Sequence, residues 1–296
     1  MSVVRYVIDG SPEIGPRFGW LERGMIQQLG TEGVSLPDLL ARVETVHDLA
    51  QQGTGEVIAE DRVHLICPIP RPRRVLAAAG NYVPEGRLSL GSTAQPWLFA
   101  KMADEPLGPG DVIPYPSMAR DIVEEIELAL VIGRGGRNIE PTEGAHHIAG
   151  WSICNDVSAR SLVLDPDRRQ GRFAPFFDWL NGKWFDGFLV LGPSIVGPAS
   201  VGDASGLTIS TRVNGDLRVQ GSSSDMTFSP QELVAFASRI MELRPGDVIA
   251  TGMPHGSAPE IFLRPGDVVE GEISGIGHLT NEVGPVASQG FGAGVG

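Results

Sequence analysis

Residues 122–133 read Ile-Val-Glu-Glu-Ile-Glu-Leu-Ala-Leu-Val-Ile-Gly, an apolar run of strand length interrupted by three glutamates. Such a run predicts a strand buried on both faces. Side chains alternate across a strand, so Ile126, Leu128, Leu130 and Ile132 share one face, and Glu125, Glu127, Ala129 and Val131 share the other. Two carboxylates then project side by side from a buried element. Left unpaired, each would cost on the order of several kcal/mol in desolvation, with like-charge repulsion added. Two readings are open at this point. Either the strand end is solvated, or paired with arginines such as Arg120 and Arg134, or the acids hold a metal ion.

Residues 148–160, Ile-Ala-Gly-Trp-Ser-Ile-Cys-Asn-Asp-Val-Ser-Ala-Arg, supply a third acid, Asp156, at the end of a second apolar strand. Three carboxylates without a matching Cys/His set favour a hard ion with oxygen ligands, Mg²⁺, Mn²⁺ or Ca²⁺, over zinc. Three protein ligands leave coordination positions for water and substrate.

The order of motifs along the chain resembles the fumarylacetoacetate hydrolase superfamily. After Glu-Ile-Glu-Leu-Ala and the Asn-Asp-Val-Ser-Ala-Arg segment come Gly-Lys-Trp-Phe-Asp at 182–186 and Gly-Asp-Val-Ile-Ala-Thr-Gly-Met-Pro at 246–254. Gly-Asp-Val-Val-Glu and Gly-Ile-Gly-His-Leu-Thr-Asn follow, so the motifs span residues 70 to 285. The resemblance implies that Glu125, Glu127 and Asp156 are the metal ligands, and that Lys183 is catalytic. It places Thr251 as a catalytic and substrate-contacting residue, with Arg160, Tyr82 and His255 as further substrate-binding candidates. The implied fold is α+β and β-rich, a mixed β-sandwich roll, in a homodimer. The implied function is a divalent-metal-dependent enzyme acting on a 2-oxo acid or 1,3-diketone through a metal-stabilised enolate. Hydrolysis of a C–C bond is the family default.

One part of the pattern departs. Family hydrolases usually carry Asn-Tyr-x-x-His-x-x-Glu near the start of this domain, where the His–Glu pair activates water. Here the stretch is Gly80-Asn-Tyr-Val-Pro-Glu-Gly-Arg-Leu88, with Glu85 in place of the His and Leu88 in place of the Glu. Decarboxylation, isomerisation or another enolate reaction needs no activated water and gains weight. Glu85 is the candidate replacement base, and a silent homologue that keeps only the metal site is the alternative of another class. The usual Thr-Gly-Thr-Pro also reads Thr251-Gly-Met-Pro254, followed by His255.

Residues 1–70 read as a small N-terminal α/β appendage. It has strand candidates Arg-Tyr-Val-Ile-Asp-Gly, Gly-Trp-Leu-Glu-Arg-Gly and Val-His-Leu-Ile-Cys-Pro, and one helical stretch over 35–53 capped by Ser35. The proline-rich joint Cys-Pro-Ile-Pro-Arg-Pro-Arg-Arg leads into the larger domain, 71–285, and 286–296 reads as a flexible tail. Leu-Arg-Pro-Gly-Asp-Val occurs at 243–248 and 263–268, and Leu-Gly-Pro-Gly-Asp-Val at 107–112, each predicting a turn into a strand. Gly133-Arg-Gly-Gly-Arg137 reads as a tight turn rather than a phosphate cradle. The adjacent His146 and His147 make a poor ligand pair. Asp165, Asp167, Arg168 and Arg169 read as a solvated loop.

A net charge of −13 without a Lys/Arg cluster argues against nucleic acid or an anionic membrane as partner. Cys67 and Cys154 lie in apolar runs, as buried thiols of a reducing compartment would. No apolar run reaches membrane-span length, and the N-terminus lacks a signal-peptide layout, so the expectation is a soluble cytoplasmic protein.

Overall fold

The computed structural model describes residues 1–11, 13–30, 33–82, 95–102, 104–163, 171–255 and 261–287. The 122–133 run belongs to two strands rather than one, Ala119–Val123 and Ile126–Ile132, with a break at Glu124 and Glu125. Its partner breaks at the same level. Ile126–Ile132 pairs with Ile148–Asn155, whereas Ala119–Val123 pairs with Ser158–Leu162 in a separate two-stranded sheet. The two antiparallel chains therefore change sheets together, and Glu125 and Asp156 occupy the two facing breaks. The Glu125 carbonyl accepts from the Asp156 N–H at 2.9 Å, and Asn155 Oδ1 accepts from the Glu125 N–H at 3.0 Å. Both bonds satisfy backbone and side-chain groups that the broken ladder would leave open.

The predicted alternation survives within the shorter strand. Ile126, Leu128, Leu130 and Ile132 enter one apolar cluster with Trp151 and Ile153. Ala129 and Val131 enter another, with Cys154, Leu191 and the N-terminal residues Val3, Leu36 and Leu49.

Among the described residues, eleven strands form the main sheet, which is mixed. All its pairings are antiparallel except Val248–Ala250 against Val75–Ala79. A five-stranded sheet contains Thr208–Val213, Asp216–Ser222, Val268–Ile273, Gly277–Val286 and Ile113–Tyr115. The fold is β-rich, as the motifs imply. The N-terminal strands extend the main sheet through Ser2–Ile8, where Val3 lies opposite Ile195.

The 35–53 stretch is not one helix. Ser35 caps a five-residue helix, Leu36–Leu40, and Thr45 then starts a separate 3-10 helix, Val46–Gln52. Thr45 and Asp48 form a capping box there, and β-branched Val43 and Thr45 weaken helical continuity between the two. Strands Met25–Leu29 and Gly53–Ala59 were not among the sequence candidates. Each lacks a clean apolar pattern and is recruited by its neighbours.

The three Pro-Gly-Asp turns are realised alike. Asp111, Asp247 and Asp267 each accept the N–H of the residue three positions earlier, at 2.7, 2.9 and 2.7 Å. The glycine before each has φ of +77°, +85° and +87°, a region that disfavours residues with a Cβ. Gly135 of the Gly-Arg-Gly-Gly segment is a packing glycine, since a Cβ there would meet Leu243 O at 2.6 Å. His146 and His147 end the 3-10 helix Pro141–His147 on the surface. Among the described residues, no helix is long and apolar enough to cross a membrane.

Candidate metal centre

Glu125 and Asp156 at the paired breaks, and Glu127 two residues along, bring three carboxylates together. One oxygen of each lies within 4.8 Å of the others, and all three residues are buried. Among the described residues, the cations paired with these acids are Lys101, Lys183 and Arg160, not Arg120 or Arg134. Lys183 Nζ donates to Glu125 Oε2 at 2.8 Å and to Asp156 Oδ2 at 2.7 Å. Arg160 Nη1 lies 3.2 Å from Glu125 Oε1, which also accepts from Ser158 Oγ at 3.0 Å.

Gly182 explains how Lys183 reaches this position. A Cβ at Gly182 would meet Ala159 O at 2.2 Å, so only glycine lets the end of helix Ala174–Asn181 press against Ser158–Leu162. The Ala159 N–H donates to Gly182 O at 2.9 Å, and the next side chain turns inward.

A second buried lysine was not anticipated. Lys101 Nζ lies 2.6 Å from Asp156 Oδ1, off the hydrogen-bond direction, and donates to Val157 O at 3.1 Å. Its only sequence signal is a lysine closing the apolar run Trp-Leu-Phe-Ala-Lys. Burial pushes the Asp156 carboxyl up, but Lys101 and Lys183 together hold it below its ordinary range. For Lys183, burial favours loss of the proton, and the Glu125 and Asp156 charges outweigh it and hold the ammonium.

Glu127 is different. Among the described residues no ion pair reaches it, and its Oε2 accepts the Gly252 N–H at 2.7 Å. Burial, followed by the charges of Asp156 and Glu125, pushes its carboxyl well above the ordinary range. Gly252 has φ +89°, the conformation that aims this N–H at the carboxylate. A divalent ion fits the donor set. It would be held by oxygens of Glu125, Glu127 and Asp156, and would give Glu127 the direct cation partner that it lacks among the described residues.

The remaining predicted residues are placed as follows. Thr251 is fully buried, and its Oγ1 donates to Leu128 O at 2.9 Å, a bond that anchors the end of strand Val248–Ala250. Tyr82 is buried in the wall of the cavity above the carboxylates, where desolvation raises its phenol. Arg160 and exposed His255 line the same cavity, of about 200 Å³. Phe99, Trp179, Met253 and Asn81 line it too and were not anticipated as site residues. Asn81 Nδ2 donates to Thr251 O at 2.8 Å and its Oδ1 accepts from the Phe228 N–H at 2.8 Å, tying three loops together. Glu85 and Leu88 lie outside the described residues, as do Asp165, Asp167, Arg168 and Arg169.

This fold and carboxylate centre define a fumarylacetoacetate hydrolase-type protein. The model of the fumarylacetoacetate hydrolase C-terminal domain matches residues 75–284, and the chain belongs to that family. Oxaloacetate tautomerase fahd2, mitochondrial, of Xenopus laevis is 33% identical over 297 residues, covering 96% of this chain and 90% of that one. The human oxaloacetate tautomerase FAHD2A, mitochondrial, is 36% identical over 232 residues, 77% and 71% of the two chains. Among solved structures, fumarylacetoacetate hydrolase from Exiguobacterium antarcticum superposes with a TM-score of 0.78 at 32% identity, covering 96% and 99%. A 5-carboxymethyl-2-hydroxymuconate delta-isomerase from Mycobacterium smegmatis gives 0.75 at 31%, covering 96% and 100%.

Proposed function

We propose that this chain is a divalent-metal-dependent tautomerase of 2-oxo acids, with magnesium as the working ion. The observation that carries the reading is the Lys183 ammonium, held between Glu125 and Asp156 at the floor of a cavity lined by three carboxylates. When bound, the ion polarises the 2-oxo carbonyl and offsets the negative charge that builds on its oxygen. Lys183 adds a fixed positive charge beside that oxygen, already oriented by two ion pairs and requiring no reorganisation. Arg160 at the cavity wall attracts the substrate carboxylate. The proton moved at carbon has two candidate carriers, His255 at the cavity mouth and Glu85.

Tautomerisation is favoured over hydrolysis because Glu85 and Leu88 stand where water-activating His and Glu are expected, and a keto–enol shift needs no activated water. The 33–36% identity to proteins named oxaloacetate tautomerase supports the same reading. The test follows decay of enol-oxaloacetate absorbance with Mg²⁺ or Mn²⁺, beside hydrolysis of acetylpyruvate. The expected result is metal-dependent enol decay, abolished by chelator, with slow hydrolysis. Rapid acetylpyruvate cleavage without accelerated enol decay would overturn the proposal in favour of a hydrolase.

A further inference from the structure

The cavity above the carboxylates has two chemically different parts. Its floor is the charged cluster of Glu125, Glu127, Asp156 and Lys183. Besides Arg160 and His255, its wall has an apolar part built from three separate segments, with Phe99 from strand Trp97–Lys101, Trp179 from helix Ala174–Asn181, and Met253 after strand Val248–Ala250. All three side chains are half-buried, so each keeps hydrocarbon surface in contact with water inside a concave site. A ligand that displaces this water is favoured in proportion to the area it covers.

The wall is braced rather than loose. Trp179 meets Phe99 edge to face, with ring centroids 5.0 Å apart and planes at 69°. Phe176 backs Trp179 at 6.0 Å. Lys183 Nζ sits 5.2 Å from the centre of the Phe99 ring, so this ring touches both the catalytic cation and the apolar wall. Met253 makes the wall more apolar than the Thr-Gly-Thr-Pro motif would, since a thioether stands where that motif has a hydroxyl. A thioether beside aromatic rings also offers a favourable surface for a further ring.

We infer that the substrate is a 2-oxo acid carrying a flat apolar group on C-3, of the arylpyruvate type, and that Met253 and Trp179 determine this specificity. The inference rests on the tautomerase reading. The head group occupies the charged floor, and the ring lies on the wall of Phe99, Trp179 and Met253. The reaction is balanced without a co-reactant. The enol O–H loses its proton, C-3 gains one, the C-2–C-3 double bond becomes single and the C-2–O bond becomes double, with no change in composition.

The test measures enol decay of phenylpyruvate and of oxaloacetate by the full chain with Mn²⁺, together with calorimetric binding of phenylpyruvate and oxaloacetate. Wild type is expected to favour phenylpyruvate in kcat/KM, and Met253→Thr should lower the phenylpyruvate-to-oxaloacetate ratio about tenfold, mainly through KM. Trp179→Leu, read by the same ratio, serves if the first variant does not fold. Oxaloacetate turnover with phenylpyruvate poorer, or a ratio unmoved in the variants, overturns the inference and leaves the tautomerase reading standing. Tighter binding of phenylpyruvate without turnover of either acid overturns the tautomerase reading and the substrate assignment with it, and leaves the wall as a binding surface for the ring. Neither turnover nor preferential binding overturns both.

Discussion

The acids of the three Pro-Gly-Asp turns and the acids of the metal centre are the same chemical groups under opposite conditions. Asp111, Asp247 and Asp267 each take a backbone N–H from three residues away, a local bond that forms with the turn itself, and Asp247 and Asp267 add one distant partner each, Arg74 Nη1 at 3.5 Å and Asn214 Nδ2 at 2.9 Å. Glu125, Glu127 and Asp156 are crowded within 4.8 Å, and their cations Lys101, Lys183 and Arg160 come from distant segments. The turn acids stabilise what the chain does locally. Glu125 and Asp156 are met by these cations, whereas Glu127 has no ion pair among the described residues, as expected where function overrides local consistency.

The largest effect that would sharpen this contrast is expected at Lys183. Lys183→Met should lower kcat/KM for enol decay by about 10²–10³, the range for loss of one preorganised charge donor, measured at saturating metal. Full retained activity would place Lys183 with the structural residues instead. Lys101 tests the stability side, because its side chain is fully buried. Lys101→Met leaves Asp156 with one cation fewer and should cost about 3–5 kcal/mol in urea unfolding of the metal-free protein. A loss no larger than that of a surface ion pair would show that Lys183 alone compensates Asp156.

Glu127 should respond with the opposite sign. Its carboxyl is held above the ordinary value of 4.5 in the metal-free fold. The folded protein therefore binds this proton more tightly than the unfolded chain. The stabilisation is complete below that ordinary value and is lost as pH rises through the raised one. Gln mimics the protonated form, so Glu127→Gln should raise the Tm of the metal-free protein at neutral pH and flatten its pH dependence. Mg²⁺ should then raise the Tm of wild type and not of the variant. A lower Tm for the metal-free variant would break the contrast. The smallest effect belongs to a turn: Asp267→Ala removes two exposed hydrogen bonds, from the Arg264 N–H and from Asn214 Nδ2, and should cost about 1–2 kcal/mol, with metal affinity measured by calorimetry unaltered.

Local sequence set the alternation along Ile126–Ile132 and the three turn-to-strand entries. These depend on neighbours a few residues apart, where side-chain period and turn chemistry act directly. It also marked the substituted water-activating pair at Glu85 and Leu88. Tertiary structure alone decided the break at Glu124 and Glu125, because the partner strand must change sheets at Asp156 and Val157 in the same place. It decided that Thr251 anchors a strand through its hydroxyl while Met253 faces the cavity. It also brought Lys101 to the Asp156–Val157 break, 56 residues away from Val157, and Asn81 to Thr251, 170 residues away. No local pattern encodes such pairings: a buried charge selects its counter-charge only after the sheets have packed and removed water from both.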